Sequence, residues 1–159
     1  MAKSGAIAVS DDGSKFLLNP IGMHFSQICA SDLLVIDSKN AETMSQPNAP
    51  DATAWAIHGA MHRNNLHARC ILHVHPKYAT ILACLEDKVM KPIDQNTMRF
   101  YEKVSIDHDY DGMGVGDEAE RLSTILGDNS VLLMGNHGVL TAGDSVAQAF
   151  DYLFHFERS

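Results

Sequence analysis

Three of the nine histidines in this 159-residue chain have the spacing and surroundings that metal ligation requires. His73 and His75 stand two apart in Cys70-Ile-Leu-His-Val-His75, a run that alternates as a strand. Residues two apart on a strand share a face, with Cα atoms about 6.5 Å apart. Two imidazoles so placed can converge on one ion, each Zn–N bond being about 2.0 to 2.1 Å. His137, in Gly135-Asn-His-Gly138, is the natural third ligand, at a turn where Gly138 lets the backbone bend tightly. Three neutral nitrogens leave a coordination position open, the pattern of a catalytic site, whereas structural zinc sites are closed by four ligands, often thiolates. By the same alternation Cys70 points away from His73 and reads as core. An H-x-H pair alone also occurs in plain strands, so the third histidine in its glycine-flanked turn carries most of the signal.

The remaining histidines are weaker candidates. His58 and His62 lie one helical turn apart, a pair that suits either a metal or a polar helix face. His24, His67, His108 and His155 have no spacing partner and read as surface or hydrogen-bonded residues. A second metal motif, Asp107-x-Asp109-x-Asp111-Gly112 followed by five residues and Glu118, matches the spacing of a calcium-binding EF-hand loop. That motif counts only between two helices, and Val104 to Ile106 reads as a strand. An acidic, solvated loop is the better description.

The positioning elements follow from periodicity. Phe16 to Leu18 and Leu33 to Ile36 read as short strands, and Asp37 to Asp51, with Pro47 and Pro50, as a loop. Helical spacing runs from Thr53 to Asn64 behind an Asp51 or Thr53 cap. Tyr78 to Leu85 and Asp117 to Leu126 read as further helices, the latter with acidic residues in its first turn. Val131 to Met134 and Val139 to Ala142 form a hairpin with His137 at its tip. Ser145-x-x-Gln148 is the spacing of a capping box, opening a last helix with Val146, Ala149, Phe150, Leu153 and Phe154 on one face.

Composition excludes other classes. With 45% hydrophobic and 20% charged residues the chain is globular, and its length suits a single domain over residues 1–159. A net charge of −8 without a basic block disfavours nucleic acid and anionic membranes as partners. No apolar run approaches a membrane span, and the first residues lack the apolar core of a secretory signal. Three cysteines without C-x-x-C spacing fit reduced thiols and a cytoplasmic location.

Four blocks together resemble the class II aldolase and adducin family: Phe16-Leu-Leu-Asn-Pro-Ile-Gly22 through Ala30-Ser-Asp-Leu-Leu-Val-Ile-Asp37; Ile57-His-Gly-Ala-Met-His62; Cys70-Ile-Leu-His-Val-His-Pro76; and Asn136-His-Gly138 with Gly143-Asp-Ser-Val-Ala-Gln-Ala-Phe150. The Asp107 to Gly112 segment is itself similar to a family segment. The resemblance implies an α/β fold, a three-layer α/β/α domain on a mixed, largely antiparallel sheet, truncated at both ends relative to the family. It also implies a homo-oligomer, usually a tetramer, and a divalent metal, typically Zn2+, on His73, His75 and His137. The implied chemistry is Lewis-acid stabilisation of the enediolate formed when a C–C bond of a small hydroxy-carbonyl or hydroxy-acid substrate breaks.

Departures from the family pattern are specific. The aldolases carry a catalytic Glu four residues before the position of His58, and here that residue is Ala54. Residues that hold a substrate phosphate in the aldolases correspond to Ile21, Ala52 and Thr53. An acid of the epimerase branch is missing before Phe100-Tyr101, where Met98 and Arg99 stand. His58 and Tyr101 are the substitutes to consider for the base. The favoured expectation is a metal-dependent lyase-type protein; the alternative is a catalytically silent, adducin-like binding or assembly domain that keeps the metal site.

Overall fold

In the computed structural model, which describes residues 2–109 and 114–159, seven strands form one sheet that runs through the molecule. The strands are β1 (Ala2–Ala8), β2 (Lys15–Leu18), β3 (Leu34–Asp37), β4 (Cys70–Val74), β5 (Val104–Asp107), β6 (Val131–Met134) and β7 (Gly138–Gly143). The helices are α1 (Ala52–Asn64), α2 (Lys77–Cys84), α3 (Gln95–Met98), α4 (Asp117–Leu126) and α5 (Val146–Glu157). Sheet order is β3-β2-β1-β4-β7-β6-β5, and every neighbouring pair is antiparallel except the parallel β5–β6.

Alternation along the strands assigns the layers. Leu132 and Met134 of β6 and Leu140 and Ala142 of β7 pack with Ile57, Ala60 and Met61 of α1 and with Leu122 and Leu126 of α4. Their intervening neighbours Val131, Leu133 and Val139 pack on the other face, with Ala79 and Ala83 of α2 and Phe156 of α5. A third cluster joins Phe16, Leu18 and Ile36 to Ala54 at the start of α1. The result is the expected three-layer α/β/α arrangement on a mixed, largely antiparallel sheet.

Most expected elements form within a residue or two of their expected bounds. Asp51 is the α1 cap, its Oδ1 accepting the Thr53 backbone N–H at 2.8 Å. The Asp37 to Asp51 loop contains a 3-10 turn, Ala41–Ser45, started by the Asn40 side chain. At α5, Ser145 caps Gln148 as expected, but the Gln148 side chain accepts from Asp144 N rather than from Ser145. The expected apolar stripe of α5 also divides: Ala149 is buried and Leu153 partly so, whereas Val146, Phe150 and Phe154 are exposed, and Phe156, outside that stripe, is buried. Strand β1 has no counterpart among the sequence expectations. Five of its seven residues are Ala, Ser or Gly, and Ser4, Ala6 and Ala8 are buried by their place between β2 and β4 rather than by β propensity.

Candidate metal centre

The sheet brings together what the sequence separates. β4 and β7 are antiparallel neighbours, with His73 opposite Leu140 and Val74 opposite Val139. The β6–β7 turn therefore closes at the end of β4 where His75 emerges. His73, His75 and His137 each turn a ring nitrogen toward the others, all within 4.8 Å, and among the described residues they are the one group with a metal-ligating arrangement. Their ring centroids are 5.0, 4.9 and 4.4 Å apart.

Tautomers follow from the hydrogen bonds. His73 Nδ1 lies 3.2 Å from the Val139 carbonyl oxygen, which can only accept, so Nδ1 carries the proton and Nε2 presents a lone pair. His75 Nε2 is 3.3 Å from that His73 Nε2. Two nitrogens bonded to one tetrahedral ion at about 2.1 Å would stand about 3.4 Å apart, so the observed spacing fits a shared cation. The His73 N–H to carbonyl contact is also the orienting bond that metal-ligating histidines commonly make.

The glycines flanking His137 act differently from expectation. Gly138 does not supply a left-handed bend; Asn136 does, with φ of 57°. Gly138 is required by proximity instead, because a Cβ there would lie 2.6 Å from His75 Cδ2 and 2.7 Å from Val74 O. The turn is held from outside by two backbone bonds, Gly135 N–H to Asp107 O at 2.8 Å and Asn136 N–H to Ala83 O at 2.9 Å.

His58 and His62 are neither ligands of this group nor a polar helix face. Both are buried on the sheet side of α1 beside Phe16, whose ring centroid is 5.2 Å from that of His62. His58 Nε2 is 2.7 Å from Ser4 Oγ, and His62 Nδ1 donates to Ala68 O at 2.7 Å. Burial pushes the His62 pKa down from 6.5 to about 4, with Arg69 adding repulsion and the Ala68 carbonyl opposing the shift. Burial, then the neighbouring His62 and His73, lower His58 as well. Both are neutral at pH 7. No sequence signal exposed the Ser4 partner of His58, because β1 itself was not recognisable.

Other sequence candidates resolve individually. His24 caps a 3-10 turn, His67 approaches the Asn129 carbonyl, His155 pairs with Asp151, and His108 is exposed. Cys70 is core, its thiol pushed up to about 11 by burial. Of the calcium motif, Asp111 and Gly112 lie outside the described residues. Asp107 is held by a two-pronged ion pair with Arg121, at 2.6 and 2.9 Å, and Glu118 Oε1 lies 3.7 Å from the same guanidinium. A protein cation thus stands among the carboxylates that a calcium ion would need. Tyr101 is half exposed and Phe100 is the packed aromatic, edge to face with Phe156 at 5.2 Å. Ala54 is buried against Phe16, Leu18 and Ile36.

Comparison with known proteins places the chain among class II aldolase-type domains. The profile of the class II aldolase and adducin N-terminal domain matches residues 1–159. A class 2 aldolase-type protein of Pseudomonas aeruginosa is 31% identical over 145 residues, covering 91% of this chain and 55% of that protein. The decarboxylase NovR of Streptomyces niveus is 27% identical over 149 residues, covering 92% of this chain and 55% of its own length. A crystal structure of an aldolase II superfamily protein from Pseudomonas syringae superposes with a TM-score of 0.85 at 29% identity, covering 99% of this chain and 63% of that one. The chain thus spans about half the length of the curated relatives it matches.

Proposed function

The chain belongs to the class II aldolase and adducin N-terminal domain family, and from that premise we propose that it is a metal-dependent lyase-type protein. Its reaction is aldolase- or decarboxylase-like cleavage of a C–C bond in a small hydroxy-carbonyl or hydroxy-acid substrate. The observation that carries this reading is the convergence of His73, His75 and His137. A divalent cation bound by them, Zn2+ in first place, would supply Lewis acidity toward adjacent hydroxyl and carbonyl oxygens and stabilise the negative charge left by bond cleavage.

The chain's own residues prepare that site. The Val139 carbonyl holds the His73 proton on Nδ1 and fixes the ring plane. Neutral His58, packed behind the sheet against Ser4, keeps a positive charge from repelling the cation. A relative named as a decarboxylase supports the reaction class.

The second reading, an adducin-like binding or assembly domain that retains the metal site, is favoured by Ala54. Its methyl group cannot accept a proton and sits in an apolar cluster. Neither substitute replaces the missing carboxylate plainly: His58 is sealed from solvent and Tyr101 faces it. The partners in this proposal are a small-molecule substrate and further copies of the chain, a tetramer by family resemblance, in the cytoplasm. Exposed Tyr78 and Ile81 on α2, Leu85 just after it, and Phe150 and Phe154 on α5 support self-association.

Metal analysis of protein prepared with Zn, Mn, Fe and Co is the deciding experiment. The proposal expects close to stoichiometric metal, and less than about 0.1 equivalent overturns it. With metal present, cleavage of hydroxy-carbonyl substrates by the unaltered chain separates the two readings, and in a silent chain Ala54→Glu tests the cause of the silence. Retro-aldol activity gained by that variant over a silent parent assigns the silence to the missing base, and continued silence across hydroxy-carbonyl substrates favours the assembly domain.

A further inference from the structure

We propose that Arg121, a partly exposed residue of α4, is a positioning residue for His137. This inference rests on the metal-binding reading above and extends it to a residue remote in sequence from the three histidines.

The connection is a chain of short polar contacts. Arg121 grips the Asp107 carboxylate with both guanidinium nitrogens, at 2.6 and 2.9 Å, and that aspartate is 1% exposed. A planar fork on a carboxylate fixes orientation as well as distance. Asp107 is the last residue of β5, in register with Met134 at the end of β6. With its side chain anchored, its main-chain carbonyl is aimed at the turn, where it accepts the Gly135 N–H at 2.8 Å. Two residues later the turn presents His137. Gly135 is part of the same link, since a Cβ at that position would lie 2.8 Å from the Asp107 oxygen and force the two strands' ends apart. The turn's other external anchor, Asn136 N–H to Ala83 O, comes from the opposite layer. His137 is therefore clamped between the α4 and α2 sides of the sheet. Arg121 also reaches Glu118, whose other oxygen accepts the Gly114 N–H, so one guanidinium ties down both described ends of the acidic loop. Outer groups that orient a metal-ligating histidine commonly change affinity by about 10- to 100-fold when removed.

The test is Co2+ titration of the full chain, read by its visible ligand-field bands, with Arg121→Gln, Arg121→Lys, Gly135→Ala and the control Arg63→Gln. Arg63 pairs with Glu120 of the same helix and has no link to the turn. Arg121→Gln and Gly135→Ala should weaken Co2+ binding about tenfold and alter the band pattern, Arg121→Lys should do so less, and Arg63→Gln should change neither. Native affinity and an unchanged spectrum in folded Arg121→Gln overturn the inference. Should that variant fail to fold, Gly135→Ala decides on the same readout, with native binding again overturning it. Absence of Co2+ binding by the unaltered chain overturns the metal reading and this inference together, which distinguishes the two failures.

Discussion

Acidification from pH 7 to pH 5 should cost this protein stability through His62 in an amount that the structure sets. The ring is 1% exposed, and its pKa falls from 6.5 in the open chain to about 4 in the fold. A base whose pKa is lowered by folding leaves stability intact above the unfolded value and removes it as pH falls below that value. At pH 5 the unfolded residue is about 97% protonated and the folded one about 10%. Integrated from pH 7 to pH 5, that difference is about 2 kcal/mol, levelling off at about 3 kcal/mol below pH 4. Urea unfolding with a chelator present measures it, since chelation places the His73, His75 and His137 group in the same state in every sample. For an m value of about 2 kcal/mol/M, the wild-type midpoint should drop by about 1 M more than that of His62→Gln, whose amide still donates to the Ala68 carbonyl. His58 contributes in the same direction to both proteins, and because burial is the main cause of its shift, most of its effect cancels in the comparison. Equal losses in wild type and variant would refute the assignment of a neutral, buried His62.

Gly138→Ala should cost about 1–3 kcal/mol and abolish high-affinity metal binding, because the new methyl meets the Val74 carbonyl and the His75 ring at once; calorimetry with and without Zn2+ reads both effects. Asp51→Ala removes the α1 cap and should lower stability by about 1 kcal/mol while sparing metal affinity. Leu132→Ala opens a void under α1 and α4 and should cost about 2–5 kcal/mol in chemical denaturation, a loss far above that of truncating exposed Phe150. Both helix and sheet variants serve as controls for the metal-site substitutions.

What could be read from the chain divides by the range of the forces involved. The β6–turn–β7 hairpin and α4 were legible because apolar alternation, glycines and first-turn acids act over a few residues. The H-x-H spacing and the third histidine named the members of the candidate metal group, though their convergence depends on β4 lying beside β7. Strand β1 escaped because its inward positions Ser4, Ala6 and Ala8 are small, and their burial comes from two neighbouring strands. The pair His58 and His62 has the same spacing on a solvated helix as on a buried one. Only the arrival of Phe16 from β2 distinguishes the cases. Gly138 was assigned to backbone freedom when its cause is a through-space contact with His75. The Asp107–Arg121 fork spans a segment whose acidic spacing drew attention to calcium and away from the arginine.

The pairing of the central strand has a kinetic consequence. β4 is joined to β1 through contacts such as Ser4 with His73, and to β7 through Cys70 with Gly143. Each pairing closes a loop of roughly seventy residues, so both sides of β4 must pay a large entropy of closure before any ladder bond forms. On the ribosome, β1 can pair with β4 once residues to 74 have emerged, and the other edge of β4 then stays open until β7, residues 138–143, becomes available. Assembly of the three histidines is accordingly among the last events of folding, and a cation acting on the mature pocket would slow unfolding more than it hastens folding.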